Sequence, residues 1–343
     1  MPEVVLIEGP PSRRTRLFRA RAAARLDLIT LTPAAAAGEI NTISLADAVI
    51  VLGPGASIPA LPPDAKLLMV QLLECANPSA DALTLRSRGT ALANVSAALA
   101  SAVAEFAVAL MVAAAPGSTP PADRAAVVRA LSGAAPMSAL RGKKIGIIGL
   151  GRVGESVATR LKPLGATVSY ADIRTAPQSA AGGAAALQLR RVTLDRLLAT
   201  SDIVTVHVPW GPTASPVLRA RELGLMAPGS ALVCTSDPRV IDLAALARAL
   251  SAGAPGRAAL DIRPSESAGQ EELDRLARAP NAVITRGLAS ASIDLDTAAA
   301  DYALANVERL IAGRPPESLV EVLGFPKAGD PAFWSSIMYP RRR

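Results

Sequence analysis

"KKIGIIGLGRVGESVATRLKPLGATVSYADIR", residues 143–174, decides how the rest of the chain is read. It opens on a short apolar run, the pattern of a strand buried on both faces. Glycines at 149, 151 and 154 follow in the spacing G-x-G-x-x-G. "RVGESVATRLKPLG" (152–165) reads as a helix and "TVSYADI" (167–173) as a second strand, with Asp172 near its end, 18 residues after Gly154. The glycines alone are a weak signal. A strand before them, a helix after them and an acid closing the next strand specify one geometry. Gly149 permits the tight turn, Gly151 lets the backbone approach a pyrophosphate, and Gly154 lets helix and strand pack closely. The phosphates then meet the helix N-terminus, where free N–H groups and the macrodipole favour negative charge. The Asp172 carboxylate suits ribose hydroxyls and repels a 2′-phosphate. The pattern therefore points to NAD in preference to NADP, a preference that Arg174 moderates. The competing reading is a glycine turn that binds no nucleotide.

Outward from this stretch, "DIVTVHVP" (202–209), "SALVCTS" (230–236) and "GRAALDI" (256–262) read as further strands, each preceded by a helical segment. Such alternation specifies a doubly wound parallel sheet. Upstream, "EVVLIEG" (3–9), "DAVIVLG" (47–53) and "KLLMVQLL" (66–73) are short apolar runs alternating with helical stretches, so residues 1 to about 95 form a smaller α/β unit. Two domains suit 343 residues, more than one ordinary core organises. Segments 100–115 and 292–313 read as long helices, the first hydrophobic nearly all round and so expected to be buried. The Ala-rich stretch to residue 141 reads as helical. The tail 325–343 reads as irregular, anchored by Trp334 and Tyr339 if ordered.

Composition limits the function classes. The apolar run 104–115 is about a dozen residues, short for a membrane span. "MPEVVLIEG" lacks the charged and apolar regions of a signal peptide, so a cytoplasmic protein is expected. Cys75 and Cys234 have no metal-ligand spacing and His207 is the single histidine, which argues against zinc. The net charge is +7, but nine arginines lie in two places, six in 13–25 and three at 341–343. The remainder of the chain is slightly acidic. A solvated arginine face explains this without a nucleic-acid partner, for which no motif is present; binding of another anionic partner is the alternative.

The segments "LRGKKIGIIGLGRVGESVATRLKPLGATVSYADIR" (140–174), "DIVTVHVP" (202–209), "LMAPGSALV" (225–233) and "AALDI" (258–262) resemble the D-isomer-specific 2-hydroxyacid dehydrogenases, a family that includes D-3-phosphoglycerate dehydrogenase-like enzymes. "VAEFAVALM" (103–111) and "NVERLIAGRPP" (306–316) extend the similarity. The resemblance implies a Rossmann cofactor domain, residues 100–289, inserted into a flavodoxin-like substrate domain made of 1–99 and 290–325, with 326–343 as a tail. It implies a small-molecule substrate in the interdomain cleft and a homodimer formed through the cofactor domain. It also implies a cofactor site built from Gly149, Gly151, Arg152, Val153, Gly154, Asp172, Ile173, Arg174, His207, Val208, Pro209, Cys234, Thr235, Ser236 and Asp261, the last beside the nicotinamide carboxamide. His207 matches the family's strand-end H-x-P segment, not its catalytic histidine. A cofactor-lining or strand-capping role is thus expected, with a catalytic role as the alternative.

The family's chemistry uses an arginine that holds the substrate, a histidine that supplies the proton and a glutamate that orients the histidine. "CTSDPRVID" (234–242) places Asp237 at the arginine's position, with Arg239 two residues later. "DIRPSE" (261–266) retains the glutamate as Glu266. "NAVITRGLASAS" (281–292) places Gly287 where the histidine belongs, preceded by Arg286. The family's glycine-rich substrate turn is replaced by "ECANPSADAL" (74–83), with Asn77-Pro78. Aligned in this way, Asp237 near Glu266 makes an acidic cleft that repels a 2-keto acid's carboxylate and favours a neutral or cationic substrate. The residues thus leave open an NAD-dependent oxidoreductase with an altered substrate, or an inactive NAD-binding homologue acting as a sensor or partner subunit.

Overall fold

Two parallel sheets organise the chain, one in each of two compact units, residues 1–99 with 291–324 and residues 100–290. The computed structural model describes residues 4–32, 49–53, 56, 67–74, 89–115, 139–173, 187–210, 215–262, 270–290 and 293–319. Arg174, Glu266, Cys75, Asn77-Pro78, most of the Ala-rich stretch before residue 141, and the tail with Trp334 and Tyr339 lie outside the described residues.

The first unit holds β1 (Val4–Ile7), β2 (Leu28–Leu31), β3 (Val49–Leu52), β4 (Met69–Leu72) and β5 (Ala91–Ala93), in the order β2-β1-β3-β4-β5 and all parallel. This is the flavodoxin-like order, which reverses direction between β1 and β3. Every residue of β1, β3 and β4 is buried, which is why these strands read as apolar runs, broken only in β4 by Gln71, whose Oε1 accepts from Asn306. Helix α1 (Arg13–Ala22) starts where the Ser12 hydroxyl accepts from the Thr15 N–H.

Most arginines of segment 13–25 are engaged in ion pairs. Arg14, Arg21 and Arg25 pair with Asp296, Asp301 and Glu308 of the long helix α8 (Ile293–Ile311), and Arg19 pairs with Glu8. Arg14 is buried and also donates to the Leu73 carbonyl at 2.8 Å. Four of the six arginines of 13–25 therefore make ion pairs within their own unit, and Arg19, Arg21 and Arg25 do so while still partly solvent-exposed.

The second unit holds β6 (Lys144–Ile148), β7 (Thr167–Ala171), β8 (Arg190–Arg191), β9 (Ile203–Val206), β10 (Ala231–Cys234), β11 (Arg257–Asp261) and β12 (Ala282–Thr285). Their order is β12-β11-β10-β9-β6-β7-β8, parallel throughout. In chain sequence this is the Rossmann order with a seventh strand, and direction reverses between β6 and β9. Alternate residues feed two cores. Val204, Val206, Leu232 and Cys234 join one core with helices α4 (Leu194–Thr200), α5 (Ala220–Gly224), α6 (Leu243–Ala252) and α7 (Gln270–Ala277). Ile145, Ile147, Ile203 and Val233 join the other with α2 (Ser96–Ala114) and α3 (Arg152–Leu161). Each leucine buried this way, such as Leu161 or Leu246, stabilises the unit by roughly 1.5–3 kcal/mol.

Helix α2 differs from the sequence expectation in two ways. It begins at Ser96, so it has 19 residues, and its length and mean hydropathy of 2.0 reach what a membrane span requires. It is also less buried than its composition implied. Ala104, Ala107, Leu110, Met111 and Ala114 pack into the sheet's core, while Ala102, Phe106 and Ala113 are half-buried and Ala109 is exposed. Small alanines satisfy the core on one side and leave an apolar stripe on the other.

Candidate cofactor and active site

The second sheet presents the carboxyl ends of β6, β9, β10, β11 and β12 along one edge, and the order reversal between β6 and β9 opens a crevice there. The glycine loop lies at that point. Gly149 has φ +89°, and a Cβ on it would stand 2.6 Å from the His207 carbonyl oxygen. A Cβ on Gly154 would stand 2.2 Å from the Gly149 carbonyl oxygen. Both positions exclude any side chain, because the obstruction is backbone. Gly151 is the N-cap of α3 in an extended conformation and contributes no side-chain bond to the first turn. Arg152 is exposed and Val153 half-buried at that turn. The result is a concave strip of main-chain donors at a helix N-terminus, which fits the pyrophosphate of a dinucleotide.

Asp172, just past β7, is half-buried, and its Oδ2 accepts from the Leu150 N–H at 2.7 Å. The acid is thereby anchored to the glycine loop. Ile173 beside it is 40 % exposed, an apolar surface at the strand end. Arg191, on the neighbouring strand, donates from Nη2 to the Asp172 carbonyl at 2.8 Å.

His207 is buried at the end of β9, and its N–H donates to the Ile148 carbonyl. Its Nε2 lies 2.9 Å from the Thr205 hydroxyl and its Nδ1 3.3 Å from the Thr235 hydroxyl. Burial pushes its pKa down to about 3, so the ring is neutral near pH 7 and lacks the acidic proton of an imidazolium. Val208 packs on Gly149, and Pro209 is exposed. Across the next strand end, the Ser236 hydroxyl donates to the Val206 carbonyl at 3.1 Å, so hydroxyls tie β9 to β10. Thr235 and Ser236 are half-buried at this edge, whereas the Cys234 side chain packs into the core.

Asp237 differs from the repelling acid expected at the arginine's position. It caps a short 3-10 turn, Pro238–Val240, accepting from the Arg239 N–H at 2.9 Å. The Arg239 guanidinium closes on the same carboxylate through Nε and Nη2 and lies 5.2 Å from the Trp210 ring centroid. The charge of Asp237 is thus offset by its own neighbour, and the argument for a cationic substrate loses its main support. Asp261 is likewise engaged. Its Oδ1 accepts from the Thr285 hydroxyl at 2.5 Å and the Leu288 N–H at 2.9 Å, and its Oδ2 from the Ala289 N–H at 2.9 Å. It is 5 % exposed and fastens β11 to the turn Leu288–Ser290. Gly287, at the histidine's position, has φ +65°, a left-handed conformation that a histidine would strain. Arg286 is exposed. Among the described residues no cluster of three metal-ligating side chains occurs.

The structure therefore brings the glycine loop, Asp172, His207, Val208, Thr235 and Ser236 to one edge. Sequence reasoning missed Arg191, Thr205 and Thr285. Thr205 carried a signal, since two positions before His207 on a strand means the same face. Arg191 carried none, because β8 has only two residues.

Comparison with known proteins agrees with this geometry. The chain is 32% identical over 186 residues to the glycerate dehydrogenase of Methylorubrum extorquens, covering 54% of this chain and 55% of that one. It is 38% identical over 128 residues to the D-3-phosphoglycerate dehydrogenase of Escherichia coli K12, covering 37% of this chain and 30% of that one. The matches thus span about half the length of the first relative and less of the second. A crystal structure of a glyoxylate reductase from Paecilomyes thermophila shares the fold, with a TM-score of 0.73 at 21% identity over 93% of this chain and 99% of that one. The family model for the NAD binding domain of the D-isomer specific 2-hydroxyacid dehydrogenases matches residues 109–288, the same span that holds the glycine loop, Asp172 and the β9–β12 strand ends. With more than half its length so matched, the chain belongs to the D-isomer specific 2-hydroxyacid dehydrogenase family.

Proposed function

We propose that the chain binds NAD across the carboxyl ends of β6 and β9 and is an oxidoreductase acting on a small hydroxy or keto compound, with Asp237 and Gly287 in place of the family's arginine and histidine. The observation that carries the cofactor reading is the Gly149–Gly154 cradle, where a Cβ would meet backbone oxygen at 2.6 and 2.2 Å. Bound NAD would supply a ring that accepts or returns a hydride. The chain's own part is positional. The first-turn N–H groups of α3, with Arg152 and Val153, hold phosphate, and Asp172 holds the ribose hydroxyls. Ile173, His207, Val208 and Pro209 line the adenosine side. Thr235, Ser236, the Cys234 main chain and Asp261 lie toward the nicotinamide, and Glu266 is what remains of the family's trio.

Proton transfer is where this chain departs from its family. His207 is neutral and buried, and the Asp261 carboxylate is engaged by three donors. Loss of an acid–base group typically costs about 10²–10⁴ in rate. Reduction of 2-keto acids by the family route is therefore expected to be slow. A second reading, an inactive NAD-binding homologue acting as sensor or partner subunit, is favoured by one observation: Asp237 and Asp261 both spend their charge on their own backbone turns. We further infer a homodimer, supported by the half-exposed apolar stripe of α2, which light scattering would test.

The deciding experiment is calorimetric titration with NAD and NADH, followed by an absorbance assay over a panel of keto acids and neutral carbonyl compounds. Binding with turnover on any member supports the oxidoreductase. Binding with a flat panel supports the second reading. No binding removes both.

A further inference from the structure

The strand ends of β10 and β12 differ in what they present at the carboxyl edge of the second sheet. At β10 the Asp237 side chain is 9% exposed and takes both Nε and Nη2 of Arg239, whose guanidinium also lies over the Trp210 ring. The pair carries no net charge. A carboxylate arriving from solution must take the guanidinium from a partner two residues away, whose effective concentration is on the order of millimolar or higher. It would also meet the Asp237 charge laid bare by the exchange, which repels it. At β12 Gly287 has no side chain, and Leu288 after it is 54% exposed, the most exposed large hydrophobic side chain among the described residues. A lone exposed leucine is ordinary. This one is fixed at the edge where open α/β sheets bind ligands, because the buried Asp261 carboxylate accepts from its N–H at 2.9 Å.

We propose that the Asp237–Arg239 pair and Leu288 make this edge select an uncharged carbonyl compound with an apolar substituent, such as a ketone, an aldehyde or a 2-keto amide, over a 2-keto acid. The proposal rests on the reading of the crevice as a dinucleotide site. The closed ion pair withholds the bidentate countercharge that a carboxylate needs, whereas an uncharged carbonyl group needs only a donor to its oxygen. Leu288 gives the apolar substituent a surface to cover. Reduction there takes a hydride from the reduced dinucleotide onto the carbonyl carbon and a proton from water onto its oxygen, leaving the alcohol and the oxidised dinucleotide. Arg286 is exposed and follows Ile284 in the alternation of β12, away from the face shared by Thr285 and Asp261, which makes it the control.

The test measures dissociation constants for the 2-keto acid analogue of leucine and for its amide, which differ in charge and little in shape. Calorimetry in saturating NADH reads binding, with initial rates of NADH oxidation alongside. The wild type is expected to bind the amide about tenfold or more tightly than the acid. Asp237→Asn keeps a side chain able to cap the turn and frees the guanidinium, so the acid gains about tenfold while the amide stays within about twofold. Leu288→Ala weakens the amide by about threefold to tenfold with NADH affinity unchanged, and Arg286→Ala leaves the preference as it was. An acid bound as tightly as the amide by the wild type overturns the proposal. So does a preference that Asp237→Asn leaves intact, amide binding that ignores Leu288→Ala, or a preference that Arg286→Ala removes. If NADH binds and neither compound does up to about 10 mM, the substrate class is wrong and the dinucleotide reading stands. If NADH itself fails to bind, the dinucleotide reading falls and this proposal with it.

Discussion

The two ends of the second sheet's functional edge solve different problems with the same parallel scaffold. Around β6 and β7 the site is made of backbone. Gly149 and Gly154 leave no room for a Cβ, and the N-terminus of α3 has no side-chain cap. Its polar groups are left pointing at whatever arrives. Around β10, β11 and β12 the site is made of side chains, and these have turned inward. Asp237 caps its own 3-10 turn and binds Arg239, and Asp261 fastens the turn that follows β12. A tight backbone loop leading into a helix N-terminus with no side-chain cap keeps its ligand-binding potential. A carboxylate absorbed by local backbone has become architecture.

The sharpest way to break this comparison is Gly154→Ala. The added Cβ would lie 2.2 Å from the Gly149 oxygen, and no flexible side chain can yield. Helix α3 must shift from the loop, so NADH affinity is expected to fall by about a hundredfold or more and stability by roughly 3 kcal/mol, an overpacking cost at the upper end of the usual range. Titration and thermal melting read both. An alanine variant that binds NADH normally would mean the cradle does not set the ligand's position.

Next in size is Asp261→Ala, which strands the Thr285 hydroxyl and the Leu288 and Ala289 N–H groups. At about 1–3 kcal/mol for each buried donor left unsatisfied, and with water reaching some of them, a loss of about 3 kcal/mol is expected. Asp261→Asn, which keeps one good acceptor, should lose less. If instead Asp261→Ala melts normally and loses only nucleotide affinity, the residue serves the ligand and the contrast between the two ends fails.

His207 sharpens the comparison through pH. Its folded pKa, about 3, lies below its unfolded value near 6.5, so the unfolded chain binds the extra proton between these limits. The stabilisation is fully present above pH 6.5 and is lost as pH falls toward 3. Denaturation midpoints of the wild type and His207→Gln should converge as pH drops through that window. An unchanged gap would mean that the ring is not buried neutral.

Much of this architecture was legible beforehand because buried parallel strands announce themselves. "KKIGIIGLG" and "DAVIVLG" are continuous apolar runs ended by glycine, and their strands lie where expected, at 144–148 and 49–52. The strands β2, β5, β8 and β12 were missed; β5 and β8 have only three and two residues, and their pairing comes from the neighbouring strand and not from their own composition. The cofactor edge was legible for a related reason: its glycines are steric requirements, and such requirements leave a spacing. The altered edge was only half legible. The substitutions at 237 and 287 are plain in the sequence, but their consequences are not. Nothing in "SDPRVID" states that Arg239 folds back onto Asp237, since a 3-10 turn of three residues has no periodicity to read.

That pair makes the smallest and most pointed prediction. Arg239 is 42% exposed at its side chain, so solvent screens its attraction to Asp237, and exposed ion pairs are worth about 0.2–1 kcal/mol. Arg239→Ala keeps the main-chain N–H that Asp237 caps, so the turn survives while the ion pair and the Trp210 contact are lost. Stability should fall by about 1 kcal/mol or less. The electrostatic consequence is larger in kind than in size, because the variant exposes the carboxylate that Arg239 had neutralised. Small anions at the β10 end should then bind more weakly, and amine-bearing carbonyl compounds more strongly. Asp237→Asn should do the reverse by releasing the guanidinium. A panel of anionic and cationic ligands that responds to the two variants in opposite directions would show that the acid at the lost arginine's position is silent only because its neighbour holds it. A panel that ignores both variants would mean this end of the sheet has stopped facing a ligand at all.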